Sequence, residues 1–261
     1  PGKCVYGNVS RVRIPSSLLF FMVKPFQFKE FAVLQDKAAM KIGTDAVLLG
    51  AWCAVADTID SVLDIGAGTG VLSLMMAQRS NAVLIDAVEV DVHAYEQCVG
   101  NFENSQWADR LFCYHTSFSD YVDEMQSEDE KYDLIISNPP FYTEAYESEN
   151  SSRNRARFIS SLPFNDLIFG VSKLLSEQGE FSVVIPFKEE IEFEKLANHY
   201  GLYAIRKCHV KGNATSEIKR SLLTFCFQEE TCFNENLIVE TSRHNYTKEY
   251  INLTKKFYLN M

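Results

Sequence analysis

The sequence predicts an α/β fold, a mostly parallel sheet with helices on both faces. Three observations predict it. Apolar runs of strand length alternate with helical patterns along most of the chain. A glycine turn, Gly66-Ala67-Gly68-Thr69-Gly70, follows the first strong run, Val62-Leu63-Asp64-Ile65. A proline corner, Asn138-Pro139-Pro140, follows another buried run, Tyr132-Asp133-Leu134-Ile135-Ile136-Ser137. In such sheets ligands bind beyond the carboxyl ends of the strands, where both segments fall.

Thr44 to Ala56 reads as a helix. Thr44 or Asp45 can cap it, and Val47, Leu48, Ala51, Trp52 and Val55 share a face. A strand from Ser61 to Ile65 passes through the glycine turn into a buried helix, Val71 to Gln78. Ala82 to Val90 is a strand, Val92 to Phe102 a helix, and Leu111 to Tyr114 a short strand. The acid gathered between Asp120 and Asp133 reads as a solvated loop, and Tyr132 to Ile136 as the next strand. Leu162 to Leu175 reads as a helix that Gly179 ends. Phe181 to Pro186 is a strand and Glu189 to His199 a helix. Leu202 to Val210 and Leu222 to Gln228 close the series as strands, before a terminal helix from Tyr246 to Tyr258.

The 261 residues are 46% hydrophobic, enough for one substantial core. No apolar run approaches the ~18 residues of a membrane span. The seven cysteines are odd in number and form no CxxC, which argues against a disulfide framework or zinc site and fits a reducing cytoplasm. The net charge of -10 argues against broad non-specific nucleic-acid binding but leaves room for a local basic surface. Arg11 and Arg13 precede a short apolar run, Leu18 to Val23, which Lys24 interrupts, and no cleavage site follows. Residues 1–21 are therefore expected to be a dispensable leader, and residues 22–261 a single domain.

Gly66, Gly68 and Gly70 permit a tight turn and close approach of backbone to ligand. Their G-x-G-x-G spacing is not that of a dinucleotide site, and no P-loop lysine follows. Glu89 ends the second strand, where a carboxylate can accept both hydroxyls of a ribose. Asp91 lies close by. Asp64 is expected to hold the turn or to meet a ligand ammonium through water. Phe118, after the third strand, is placed to stack on adenine or to serve the core; Ser117 and Asp120 are its polar neighbours.

The proline corner suits a planar amine. An adenine amino nitrogen is a poor nucleophile because its lone pair is delocalised into the ring. The Asn138 side-chain oxygen and the Pro139 carbonyl can hold its two hydrogens and turn the lone pair toward a methyl donor. Pro139 and Pro140 stiffen the backbone, and Phe141 can stack on a flipped base.

With these motifs the chain resembles the class I S-adenosylmethionine-dependent methyltransferases, which have a Rossmann-like fold with a seven-stranded sheet. Phe26-Gln27-Phe28-Lys29, Met40-Lys41-Ile42-Gly43-Thr44-Asp45 and Leu48-Leu49-Gly50-Ala51-Trp52 resemble the bacterial tRNA(Val) adenine-N6 methyltransferases. So do Asn138 to Phe141, Arg153 to Arg157, and Tyr246 to Leu259. The resemblance implies S-adenosylmethionine as cofactor and tRNA as substrate, at the adenosine of position 37, just 3′ of the anticodon. It implies that Lys41, Thr44 and Asp45 lie over the methionine end of the cofactor, beside the glycine loop and the ribose acid Glu89. It assigns Asn138, Pro139, Pro140 and Phe141 to catalysis. Phe158 departs from the pattern, standing where relatives often carry histidine.

Arg153, Arg155 and Arg157 form the densest basic cluster, spaced to share one face of an extended segment that grips RNA phosphates. Lys207, His209, Lys211, Lys219 and Arg220 form a second group, and Lys248, Lys255 and Lys256 a third. Rival readings are methylation of a glutamine amide in a translation factor, DNA adenine methylation, and a non-catalytic RNA-binding scaffold. Phe141 stands where the glutamine enzymes usually carry tyrosine. A monomer that needs no metal is the default expectation.

Overall fold

The computed structural model describes residues 24–140 and 162–261. A short antiparallel pair, β1 (Phe26–Gln27) and β2 (Ala32–Val33), precedes helix α1 (Thr44–Trp52). Strands and helices then alternate: β3 (Ser61–Ile65), α2 (Val71–Arg79), β4 (Leu84–Glu89), α3 (Val92–Glu103), β5 (Leu111–His115), α4 (Phe118–Ser127) and β6 (Tyr132–Ser137). Beyond residue 162 come α5 (Phe164–Leu174), β7 (Leu175–Pro186), a single 3-10 turn (Phe187–Glu189) and α6 (Glu190–His199). The chain ends with β8 (Tyr203–Asn213), β9 (Ile218–Cys226), β10 (Phe233–Ser242), β11 (Asn245–Tyr246) and α7 (Lys248–Thr254).

The main sheet runs β11-β10-β8-β9-β7-β6-β3-β4-β5. Its β7-β6-β3-β4-β5 block is parallel, and β9 lies antiparallel between β7 and β8. These seven strands are the expected sheet; β10 and β11 extend it at one edge. Strands buried on both faces send alternate residues to opposite cores. Val62, Leu134 and Ile136 join the layer under α1, α2 and α3, whereas Leu63, Ile135 and Val183 join the layer under α4, α5 and α6.

From β3 the chain first steps outward to β4 and β5, then returns to β6 on the other side of β3. The reversal leaves a crevice at the carboxyl ends of β3 and β6. The glycine turn leaves β3 there and the proline corner leaves β6. Ile65 pairs with Ser137, so both loops depart at one level.

Several expectations are corrected. The first helix stops at Trp52, because Cys53 is extended and the Arg79 guanidinium caps the Gly50 and Cys53 carbonyls at 2.6 and 2.9 Å. The acid-rich stretch is helix α4, whose Phe118, Tyr121 and Val122 are buried. Asp133 within it belongs to β6, where it accepts from the Asp60 and Ser61 amides at 2.9 and 3.2 Å. Gly179 ends no helix: α5 stops at Leu174, and Gly179 lies in β7 at a register irregularity. A Cβ there would stand 2.9 Å from the Tyr132 carbonyl oxygen. The terminal helix is shorter, capped by Thr247, whose side chain accepts from the Tyr250 amide.

Strand β10 had no counterpart in the sequence reading. Glu235 fixes it to the body of the fold, accepting from Trp52 Nε1 at 2.6 Å and from the Arg206 guanidinium at 2.7 Å. The guanidinium also stacks 4.4 Å from the Trp52 ring centroid.

Candidate active site

Gly66, Gly68 and Gly70 all have positive φ (73°, 57° and 78°), which side chains disfavour. The turn hangs from β4: the Gly66 and Ala67 amides donate to the Val88 carbonyl at 2.9 and 3.1 Å. Nothing lies within 4 Å of a Cβ built on Gly66 or Gly68. At Gly70 a Cβ would stand 2.5 Å from the Phe102 ring, so this glycine also permits α3 to pack under the turn. Asp64 is fully buried beneath. Its Oδ2 accepts from the Ser73 amide at 3.1 Å and the Ser73 hydroxyl at 2.7 Å, tying β3 to α2. Its Oδ1 is buried without a partner, and burial pushes the carboxyl up to about 7.

Glu89 ends β4 and is buried. One oxygen accepts from the Gly68 amide and the other from the Asp91 amide, both at 2.8 Å. Burial raises its pKa above the ordinary carboxylate range, and those two amide bonds oppose the rise. Asp91 instead caps α3, accepting from the Ala94 amide at 2.8 Å. Ser117 caps α4 and donates its hydroxyl to Asp120 at 2.7 Å, so that pair serves the helix terminus. Phe118 is buried against Gly170 and also lines the cavity described next.

That cavity holds about 240 Å³. Gly66, Gly68, Glu89 and Phe118 line it together with Asn138 and Pro140. The two sequence motifs, some seventy residues apart, thus face one space, as the Ile65–Ser137 register requires. Lys41, Thr44, Asp45, Asp64, Gly70 and Pro139 are not among its lining residues; Ala38, Ala39 and Met40 are. Asp45 accepts from Arg220 Nε at 2.7 Å. Sequence reasoning missed Thr116, Ser119, Pro163 and Asp166 on the wall. Thr116 was recoverable as the residue between β5 and the Ser117 cap, whereas no motif marks Asp166, in the first turn of α5.

Phe141, Arg153, Arg155, Arg157 and Phe158 lie outside the described residues. In the second basic group, Lys207 donates to Glu194 at 2.6 Å, His209 lies 2.9 Å from Glu190, and Arg220 meets Asp45. These three serve carboxylates of the chain itself. Among the described residues, no group of three or more His, Cys, Asp or Glu side chains is arranged to hold a metal ion, and no helix is long and apolar enough to cross a membrane.

An open glycine turn, a buried carboxylate beside it and an aromatic ring lining the same cavity fit a ligand with a ribose diol and a flat base. The proline corner contributes Asn138 and Pro140 to the same lining.

A model of the methyltransferase small domain matches residues 42–206. The tRNA1(Val) (adenine(37)-N6)-methyltransferase of Flavobacterium psychrophilum is 55% identical over 236 residues, covering 90% of this chain and 100% of the relative. The proteins of that name from Christiangramia forsetii and Bacteroides fragilis are 53% and 44% identical, covering 91% and 90% of this chain and 99% and 98% of theirs. Among solved structures, a predicted O-methyltransferase from Agrobacterium tumefaciens aligns with TM-score 0.62 at 18% identity, over 82% of this chain and 96% of that one. Pyrococcus horikoshii TYW2 in complex with MeSAdo aligns with TM-score 0.54 at 17% identity, over 78% and 70%. These two likenesses show the fold. The chain belongs to the methyltransferase small domain family and, within it, to the tRNA1(Val) (adenine(37)-N6)-methyltransferases.

Proposed function

We propose that this chain transfers a methyl group from S-adenosylmethionine to the N6 amine of adenosine 37 in tRNA1(Val). The observation that carries the reading is that Asn138 and Pro140 line the same cavity as Gly66, Gly68 and Glu89. S-adenosylmethionine would supply a methyl carbon on a cationic sulfur: as the amine lone pair bonds to that carbon the carbon–sulfur bond breaks, its electrons staying on a neutral thioether, and the methylated nitrogen then loses one proton to water.

The chain's own residues do the rest. Glu89 holds a ribose diol with the oxygen lone pairs that remain beyond its two amide bonds. Gly66 and Gly68 let the backbone approach the cofactor closely. Asp64 holds the turn through Ser73, and Lys41, Thr44 and Asp45 belong to the segment at the methionine end. The Asn138 side-chain oxygen and the Pro139 carbonyl accept the two N6 hydrogens, so the lone pair stands out of the base plane. Pro139 and Pro140 fix that corner, and Phe141 stacks on the base. Catalysis is then mainly alignment and electrostatics, with no strong base required. Arg153, Arg155 and Arg157 contact RNA phosphates. The enzyme works as a cytoplasmic monomer without metal.

The test is transfer of a radiolabelled methyl group to total tRNA lacking the modification, followed by nucleoside analysis. The expected product is N6-methyladenosine in tRNA1(Val). Label in a protein glutamine, or in another nucleoside, would overturn the proposal.

A further inference from the structure

One part of the cavity lining lies just before the amino-terminal motif and overlaps it only at Met40. Ala38, Ala39 and Met40 form it, although residues 34–43 belong to no helix or strand. Ile42 packs against the core at the end of this stretch, but Met40 is 47% exposed, so apolar packing alone does not hold the segment before Ile42 in place. Side chains on α3 do. Asn101 Oδ1 accepts from the Leu34 amide at 2.8 Å, and Asn101 Nδ2 donates to the Leu34 carbonyl at 2.9 Å and the Thr69 carbonyl at 2.8 Å. Gln97 Oε1 accepts from the Lys37 amide at 2.7 Å, and its Nε2 donates to Asp36 at 3.4 Å. Residues four apart share a helix face, so the two amides stand in one row. The Gln35 side chain accepts from the Ile42 amide at 2.9 Å and closes the neck of the loop.

The orientation of the Asn101 amide is fixed. Reversed, its NH2 would face an N–H donor and its oxygen would face two carbonyls. Both of its donor hydrogens and its acceptor are therefore used. Asn101 and Gln97 are buried, where an unmet amide or carbonyl is costly. Thr69 lies between Gly68 and Gly70, so one side chain joins the glycine turn to the loop that carries Ala38, Ala39 and Met40. An exposed Lys37–Glu96 pair at 3.0 Å adds little.

We infer that Asn101 and Gln97 are positioning residues for the cofactor: they hold residues 34–42 so that Ala38, Ala39 and Met40 form a wall of the cleft at a fixed distance from the glycine turn. The inference rests on the cofactor reading given above. It makes no demand on which nucleic acid is methylated.

The experiment measures S-adenosylhomocysteine binding by calorimetry, and backbone hydrogen exchange, on the full chain and on Gln97→Met and Asn101→Ala. Gln97→Met keeps the bulk of the side chain and removes the acceptor for the Lys37 amide. We expect its Kd to rise about tenfold, the effect of one lost buried hydrogen bond. Exchange in residues 34–42 should speed up while the sheet is unchanged. KM for S-adenosylmethionine should rise by the same factor, with kcat at saturating cofactor within about twofold. Asn101→Ala should show a larger loss of the same kind. Gln97→Met remains the deciding variant if Asn101→Ala does not fold. An unchanged Kd in folded Gln97→Met overturns the inference, as does a fall in kcat with KM unaltered. Failure of the wild type to bind S-adenosylhomocysteine would sink the cofactor reading itself, a result distinct from any difference between variants.

Discussion

The Ser137 hydroxyl donates to the Ile65 carbonyl at 2.9 Å, the two residues facing each other across β6 and β3. One starts the proline corner and the other the glycine turn. The bond is fully buried, so it couples the two loops with little freedom. Ser137→Ala should lower stability by about 1 kcal/mol. It should also slow methyl transfer about tenfold, because a small misplacement of the amine relative to the donor is expensive. Affinity for S-adenosylhomocysteine should stay within about twofold. Equal losses in affinity and turnover would mean that the bond supports the cofactor turn alone.

The glycines divide by function. Alanine at Gly68 meets no atom within 4 Å but must hold φ near 57°, a strain of about 1 kcal/mol. Gly68→Ala should therefore fold and lose cofactor affinity at least about tenfold, since the added methyl sits beside the cavity. Gly70→Ala drives a methyl to 2.5 Å from the Phe102 ring and 2.8 Å from the Cys98 sulfur. Strain and overpacking together should cost about 3 kcal/mol of stability. Chemical denaturation and ligand calorimetry on the two variants separate the effects; the same profile in both would show that the turn acts as one unit.

Asp64 gives a pH signature. Burial raises its carboxyl from 3.8 to about 7, so the folded chain holds that proton more tightly than the unfolded one. The stability it contributes is full below about pH 4 and is lost as pH rises through about 7. Asp64→Asn removes the titration and keeps an oxygen for Ser73. Between pH 5 and pH 8 the variant should gain on the wild type by roughly 2–3 kcal/mol in urea denaturation. A constant difference across that range would show that Asp64 does not titrate there.

The parallel strands were legible because burial on both faces leaves continuous apolar runs such as Leu134 to Ile136. Both ligand-facing loops were legible because glycine and proline leave fixed marks. Helix α4 was hidden by its acidic outer face, although Phe118, Tyr121, Val122 and Met125 carry the helical spacing. Strand β10 was missed although Leu237-Ile238-Val239 is an apolar run of strand type: its first half, Asn234 to Asn236, is polar, and its place is set by Glu235 reaching Trp52, 183 residues away. Of the cavity wall at Ala38 to Met40, Met40 opens the amino-terminal motif, whereas Ala38 and Ala39 carry no mark of their own. The wall's position depends on backbone hydrogen bonds to Gln97 and Asn101, which no local pattern in residues 34–43 foretells.

The sharpest test concerns Asn138. It lines the same cavity as Pro140, Gly68 and Glu89. If its side-chain oxygen orients the target amine, Asn138→Ala should slow methyl transfer at least about a hundredfold, the scale of one lost preorganised polar contact. Cofactor affinity should barely change, because Glu89 and the glycine turn remain. Asn138→Asp keeps an oxygen acceptor at the same reach but adds a negative charge. It should retain measurable turnover, above that of the alanine variant, with the same KM for S-adenosylmethionine. Single-turnover assays with tRNA, beside calorimetry with S-adenosylhomocysteine, read both quantities. Near-normal rates in Asn138→Ala would mean that the proline corner does not hold the reacting nitrogen.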